Sequence, residues 1–584
     1  MQKVGRPLLT LAVKGITLSK IHLDAYKNAR SKEKKRGKTM KKHIACILSA
    51  AMLLGLLASC GGTKNPQGES GKTVTIAKSI LPAHVDPAYA GSADCGEIIN
   101  MNAAGLYYVD GDNKVQLDLA SAAVESEDHM SITYTIGEHY FYYADGSQGP
   151  RITAYDFEYA ARRAIDPIAS NDNQDTRMMN AGVKNARAIH DEGMDPKEIG
   201  VHATDENTLV IEFEVYIPYR DELLSGRNLA PQNQAFVEEC GAKYGTSADT
   251  VLNSGAWLLT DFAVGSTSIT LKTNPNFKGY DAGKANVDTV TFVQIQDSQQ
   301  ALLAYQNGDV DIVSLSGEQV VTYADDPAFV KFGQAAVTYL AVNCDEYSND
   351  NLRRALSCAL DKTALCDEVL LDGSIPAYFM VPYNLTTDGK GNDFRDTTKS
   401  YGQLDLAKAQ SYWEAAKAEM GIDSVTLDFL ITSDENAYTV GAWIQDQFQN
   451  ALPGININLV TVPYESKMNY VMAGDYGFSV VTWGADYADP TAFLSCYVTG
   501  YPINVSHWSN AEYDQILSDC TVGSMASDLT ARGAALQRAE EIFMDGASVI
   551  PLYQTSTCLL VRTNISGINY HLCGNTYDYR SMTA

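Results

Sequence analysis

One apolar run, residues 44–58, sets the first limit on what this chain can fold into. It falls short of the roughly 20 apolar residues that a helix needs to span bilayer hydrocarbon. No second long apolar run follows in the 584 residues. The body of the chain must therefore bury its apolar side chains in cores of its own, surrounded by water. It is too long for one such core, and two or three lobes are expected. Lys41, Lys42 and His43 precede the apolar run and small residues close it. A basic start, a short apolar centre and a small-residue end make an export signal.

The run ends Leu57-Ala58-Ser59-Cys60, followed by Gly61-Gly62. This resembles the lipobox of bacterial lipoproteins. The resemblance implies a signal peptide over 40–59, cleavage just before Cys60, lipid on its sulfur and acylation of the new amine. Several acyl chains hold a protein on a membrane, where one alone is marginal. Residues 1–39 are basic and do not fit an export signal. Translation starting at Met40 is expected, with 1–39 a start-site artefact. Residues 60–72 run on as GGTKNPQGESGK after the cysteine, a Gly-, Pro- and polar-rich flexible tether.

Lys and Arg number 44 against 71 Asp and Glu, and the basic residues cluster ahead of Cys60, so the exported part is more acidic still. Such a surface repels phosphate backbones, and nucleic acid is an unexpected partner. Beyond Cys60, nine cysteines are scattered at 95, 240, 344, 358, 366, 496, 520, 558 and 573 without a CxxC pair. Zinc is disfavoured by that spacing. Disulfides are permitted outside the cytoplasm, the odd count leaves at least one thiol free, and no pairing can be deduced. His84, His129, His202 and His507 show no paired spacing. No metal and no cofactor are expected.

From residue 73 the pattern is that of a folded protein. TVTIA at 73–77 alternates as a strand, as do 132–136 and 208–213. Thr153 is an N-cap for a helix over 154–164, which Asp166-Pro167 ends. A hairpin is expected over 257–260 and 268–273, a helix over 298–305 ended by Asn307-Gly308, and a strand over 310–313. Residues 352–371 read mostly as helix. Apolar strands at 426–431, 455–460 and 478–482 alternate with helices at 404–420 and 436–450, which argues an α/β architecture.

Several segments, in order, resemble the large solute-binding proteins of peptide and nickel ABC importers, family 5 of the extracellular solute-binding proteins. They are Val85-Asp86-Pro87, Gly105-Leu106-Tyr107-Tyr108, Asp145-Gly146 with Thr153-Ala154-Tyr155-Asp156-Phe157, and the Arg163 to Asp166-Pro167 stretch. Asn253-Ser254-Gly255-Ala256-Trp257, Asn274-Pro275-Asn276-Phe277, Gly308-Asp309-Val310-Asp311 and Arg354-Ala355-Leu356 with Asp361-Lys362 continue the series. The resemblance implies a two-lobed periplasmic-binding-protein fold with a two-crossing hinge. Lobe I would hold 73–335, with an extra subdomain at about 115–250, and the return 553–584. Lobe II would be 336–552.

Residues 483–494 (WGADYADPTAFL) resemble a stretch of the oligopeptide-binding branch. The resemblance implies that Asp486 pairs with the α-ammonium of a bound peptide. A closed cleft strips water from that terminus, and an unpaired buried ammonium is costly. Trp483 would supply an aromatic wall, and Gly484 and Ala485 would lie on a strand to which peptide main chain adds. Tyr487 would lie at or beneath the site. Family members that bind short peptides often carry a basic residue before the tryptophan. Here residues 478–482 are uncharged, and Asp434-Glu435-Asn436 is acidic where a second basic contact would fall. Longer peptides with a protruding tail, or a different ligand, are favoured by that departure.

The expectation is a monomeric, lipid-anchored binding subunit that delivers oligopeptides to an ABC permease at the cell surface or periplasmic face. A dipeptide, nickel chelate, haem or oligosaccharide ligand and a sensory role remain alternatives within the same fold. An exported hydrolase is a third class, but neither GxSxG nor HExxH occurs. No enzyme is expected.

Overall fold

A computed structural model describes residues 71–88, 93–168, 176–523, 525–574 and 576–584. The expected signal peptide, the lipidation site Cys60, the 1–39 extension and the tether up to residue 70 lie outside the described residues.

Among the described residues eleven strands build the main sheet, ten of them in one continuous order. The ten are β1 (Thr73–Lys78), β2 (Trp257–Asp261), β3 (Ser268–Thr273), β4 (Thr289–Gln294), β5 (Ile312–Ser314), β6 (Phe329–Val342), β7 (Val425–Thr432), β8 (Ile455–Val462), β9 (Phe478–Gly484) and β10 (Val549–Val561). Their order is β2-β3-β4-β1-β5-β10-β6-β9-β7-β8, and the short strand Ile375–Pro376 pairs with β10. β1 runs parallel to β4 and β5, and β7 runs parallel to β8 and β9. Each parallel set is apolar on alternate or successive positions and is covered by helices, as parallel strands require.

The two sets meet on β6 and β10, which pair antiparallel. Phe329 to Gly333 of β6 lies against the C-terminal part of β10, which also pairs with β5. From Val337 onward β6 lies against the N-terminal part of β10 and against β9. Between Gly333 and Val337 the register shifts. Gln554, 1 % exposed, sits at the shift. Its Nε2 donates to Gln334 O (3.0 Å) and its Oε1 accepts from Tyr383 N (3.0 Å). A bulge leaves backbone groups unpaired, and this side chain supplies their partners.

A smaller antiparallel sheet holds Ala120–Glu125, Ser131–Ile136, Thr208–Glu212 and Val201–Ala203 in that order. Helix Ala154–Ile165 packs against it through Phe157, Ala161 and Ala164. Thr153 starts that helix: its N–H and hydroxyl both donate to Asp156 Oδ2, at 2.7 and 2.8 Å.

Residues 352–371 are mostly helical, as expected, but in three pieces. Helix Asp350–Cys358 stops, and Asp361 caps a new turn by accepting from Ala364 N (3.0 Å). A wide π-type turn, Leu365–Leu370, follows. Helical apolar spacing continues through the break, so periodicity alone could not locate it.

Candidate functional site

A cavity of about 380 Å³ opens between the two sides of the main sheet. Arg177 and Glu222 reach it from the first part of the chain, Asp486 and Ala488 from the segment after β9, and Cys573 and Gly574 from the C-terminal tail. A second cavity of about 340 Å³ shares Asn100, Arg227 and Gly574 with the first, and a third of about 490 Å³ shares Ser316 with the second. Together they form a trough along the crossing strands.

The segment after β9 is held from behind. Asp489 is 6 % exposed and forms a two-pronged ion pair with Arg532 of helix Leu529–Gly546, at 2.5 and 2.8 Å. Its Oδ1 also accepts from Thr491 N (2.9 Å) and Thr491 Oγ1 (2.6 Å). Bidentate geometry with every oxygen engaged is what makes a buried pair tolerable. Asp486, three residues earlier, is exposed on the cavity wall, and among the described residues it has no hydrogen-bond or ion-pair partner.

The two sides touch across the cavity's rim. The rings of Tyr219 and Tyr487 stack with centroids 4.4 Å apart and planes at 9°. Tyr219 Oη donates to Thr491 Oγ1 (3.0 Å), whose own proton goes to Asp489, and Ala488 N donates to Glu222 Oε1 (3.1 Å). Burial raises the Glu222 carboxyl to about 7; the Ala488 N–H opposes this, and the nearby Asp489 charge adds to it. Cys573 Sγ lies 3.9 Å from Glu222 Oε1, and burial pushes that thiol up, so it stays protonated. The tail carrying Cys573 is pinned by Arg580, which pairs with Asp118 at 2.8 Å, both almost fully buried.

β9 presents a partly open edge. It pairs with β6 from Phe478 to Gly484 but with β7 only at Phe478 and Ser479. Lys467 Nζ takes Val480 O at 2.6 Å, where that pairing ends. Beyond it, residues 481–484 have a strand neighbour on one side only among the described residues.

Of the five ligand residues expected at the end of β9 and just after it, Asp486 alone lines the cavity. Trp483 is half-buried, and its Nε1 donates to Ala492 O (2.8 Å), the partner that a buried indole N–H requires. Gly484 pairs with Ala336, and Ala485 N donates to Ala335 O (2.8 Å). Tyr487 is buried in the stack with Tyr219. Asp434 caps helix Glu435–Ala451 by accepting from Ala437 N (2.9 Å) and is exposed. Arg177, Tyr219, Glu222 and Cys573 carry no motif, and no local pattern sets them apart from other polar residues. Among the described residues no cluster of His, Cys, Asp and Glu is placed to hold a metal, the nine cysteines are all free thiols, and no helix is long and apolar enough to cross a membrane.

Two α/β bodies joined through two shared strands, with a trough between them, define the class: a two-lobed binding protein. The family model of bacterial extracellular solute-binding proteins, family 5 (middle), matches residues 114–504, and the chain belongs to that family. It is 24 % identical over 542 residues to a dipeptide-binding protein of Lactococcus lactis subsp. cremoris, covering 90 % of this chain and 96 % of that protein. Among solved structures it matches Listeria monocytogenes OppA bound to peptide, with TM-score 0.72 and 28 % identity, over 88 % of this chain and 99 % of the other. It also matches the substrate-binding domain of a Bacillus anthracis oligopeptide ABC transporter, with TM-score 0.73 and 27 % identity, over 88 % and 98 %.

Proposed function

We propose that this chain is the peptide-capturing subunit of an ABC importer, without catalysis, held at a membrane by lipid on Cys60. Lobe I is taken as 73–335 with 553–584 and lobe II as 336–552. The register shift in β6 and the facing part of β10 serve as the hinge, because these two strands alone carry the main sheet from one side to the other among the described residues.

The observation that carries this reading is the pairing of Asp486 with an open strand edge. Residues 481–484 offer backbone groups to an extended main chain, and Asp486 stands at the end of that edge as an unpartnered carboxylate. Backbone bonding reads direction and ignores side chains. The carboxylate fixes where the chain begins by taking its ammonium. The peptide-bound and peptide-transport relatives support the ligand class. The trough extends past the first cavity, which suits ligands longer than a dipeptide.

Native mass spectrometry of protein purified without denaturation is expected to show co-purifying peptides. Asp486→Asn is expected to weaken peptides with a free N-terminus about 10- to 100-fold, the worth of a hydrogen bond to a charged group, and to leave N-acetylated peptides unchanged. Equal loss for both removes Asp486 from this role. Turnover of a bound peptide overturns the binding reading.

A further inference from the structure

We infer that Glu222 is a second ligand carboxylate, one that shares its two oxygens between the opposite lobe and the cationic end of the ligand. The inference rests on the peptide-capture reading and deepens it: the ligand's ammonium lies between a carboxylate of each lobe, Asp486 from one and Glu222 from the other.

Three observations lead there. Glu222 lines the same cavity as Asp486. Both of its protein donors, Ala488 N at 3.1 Å and Cys573 Sγ at 3.9 Å, reach one oxygen, Oε1. Oε2 accepts no hydrogen bond from a described residue, and Glu222 forms no ion pair there, although it is largely buried. A half-buried carboxylate with one oxygen committed and one open toward a cavity is suited to a cation, which supplies the missing charge and donors together.

The position also explains how occupancy could favour closure. Ala488 lies two residues from Asp486 and donates to Glu222 across the rim. A cation that draws Glu222 into its charged form strengthens that N–H···O bond, because hydrogen bonds to an ionised acceptor are about twice as strong as neutral ones. A ligand shifts an open–closed equilibrium only by differential contact with the two states. Here that contact is the ammonium touching both carboxylates, which only the closed form brings together.

The protonation consequence separates this role from a purely structural one. Without ligand, Glu222 is raised to about 7 by burial and by Asp489. The groups acting on it are Asp489 from the segment after β9 and Cys573 from the tail, and Asp486 and Arg177 line the same cavity. Cys573 and Tyr219 stay neutral because burial raises both. A bound ammonium lowers the Glu222 value, so binding just below pH 7 releases a proton and affinity rises with pH up to about 7.

The test uses the full exported chain, freed of co-purified peptide, in calorimetry at pH 6.5 in two buffers of different ionisation enthalpy. The probes are alanine oligomers of three to six residues with free or acetylated N-termini. For the unaltered chain, free oligomers are expected to bind with proton release and acetylated ones without it. Glu222→Gln keeps an amide oxygen for Ala488 N and removes the charge. It is expected to weaken free oligomers about tenfold, spare acetylated ones and abolish the proton release. Equal loss for both probe sets reduces Glu222 to a lobe contact and overturns the inference, as does an unchanged proton release. If the unaltered chain binds no oligomer, the peptide-capture reading falls and this inference with it. If it binds them and Glu222→Gln does so equally well, capture stands and only the role of Glu222 falls.

Discussion

Asp486 and Asp489 are separated by two residues, yet the two faces of their segment are built on opposite principles. Asp489 faces the lobe interior, locked by Arg532 and Thr491 with both oxygens engaged. Asp486 faces the cavity and is left open. The first arrangement removes a charge from water and satisfies it with protein; the second keeps a charge unsatisfied in a place where a ligand can reach it. Rigidity behind and vacancy in front belong together, because an open carboxylate selects a ligand only if its position is fixed. Tyr487, between them, joins the two faces by stacking on Tyr219 of the opposite side.

Breaking the interior face is expected to give the largest effect. Asp489→Ala leaves the Arg532 guanidinium buried without its partner and is expected to cost about 3–5 kcal/mol of stability in urea unfolding. Asp486→Asn, by contrast, is expected to stay within about 0.5 kcal/mol of the unaltered chain in the same assay, its loss showing only in peptide affinity. If the two substitutions destabilise equally, the division between the faces is wrong.

The rim comes next. Tyr219→Ala removes a stacked aromatic pair worth about 0.5–1.5 kcal/mol and is expected to weaken all peptides several-fold, free and acetylated alike. A selective loss of free peptides would place Tyr219 in ligand recognition rather than closure.

The remaining test is in pH. The Glu222 carboxyl is raised in the folded chain from its usual 4.5 to about 7. Between those values the folded state holds a proton that the unfolded state has lost, so this contribution to stability is full below about 4.5 and is lost as pH rises through about 7. The melting temperature of the peptide-free chain is expected to drift down from pH 5 to 7.5, and Glu222→Gln is expected to flatten the drift.

Much of the fold was legible before any coordinates. The strands at 73–78, 257–261, 268–273, 425–432 and 455–462 and the helices at 406–420 and 435–451 all lie where apolar spacing placed them. Spacing is a local property, and these elements have a regular buried face. The break at 359–361 within the expected helical stretch is local too: Asp361 restarts the helix as a cap, while the apolar positions run on. The site divides differently. Asp486 stood out through the motif around it, with Trp483 as an expected wall and Tyr487 at or beneath the site; in the structure Trp483, Ala485 and Tyr487 are engaged by Ala492, Ala335 and Tyr219.

By itself the sequence determined the α/β class, the order of its elements and the family, because periodicity and motif order are properties of neighbouring residues. It also marked one acidic segment as special. Which acid of that segment is structural and which is open was decided only in three dimensions, by Arg532 arriving behind Asp489 from a helix more than thirty residues further on. Glu222 and Cys573 became wall residues in the same way, brought to the cavity that Asp486 lines by segments far from it along the chain. A carboxylate's role depends on what surrounds it in space, and that environment is assembled from segments whose separation along the chain carries no local signal.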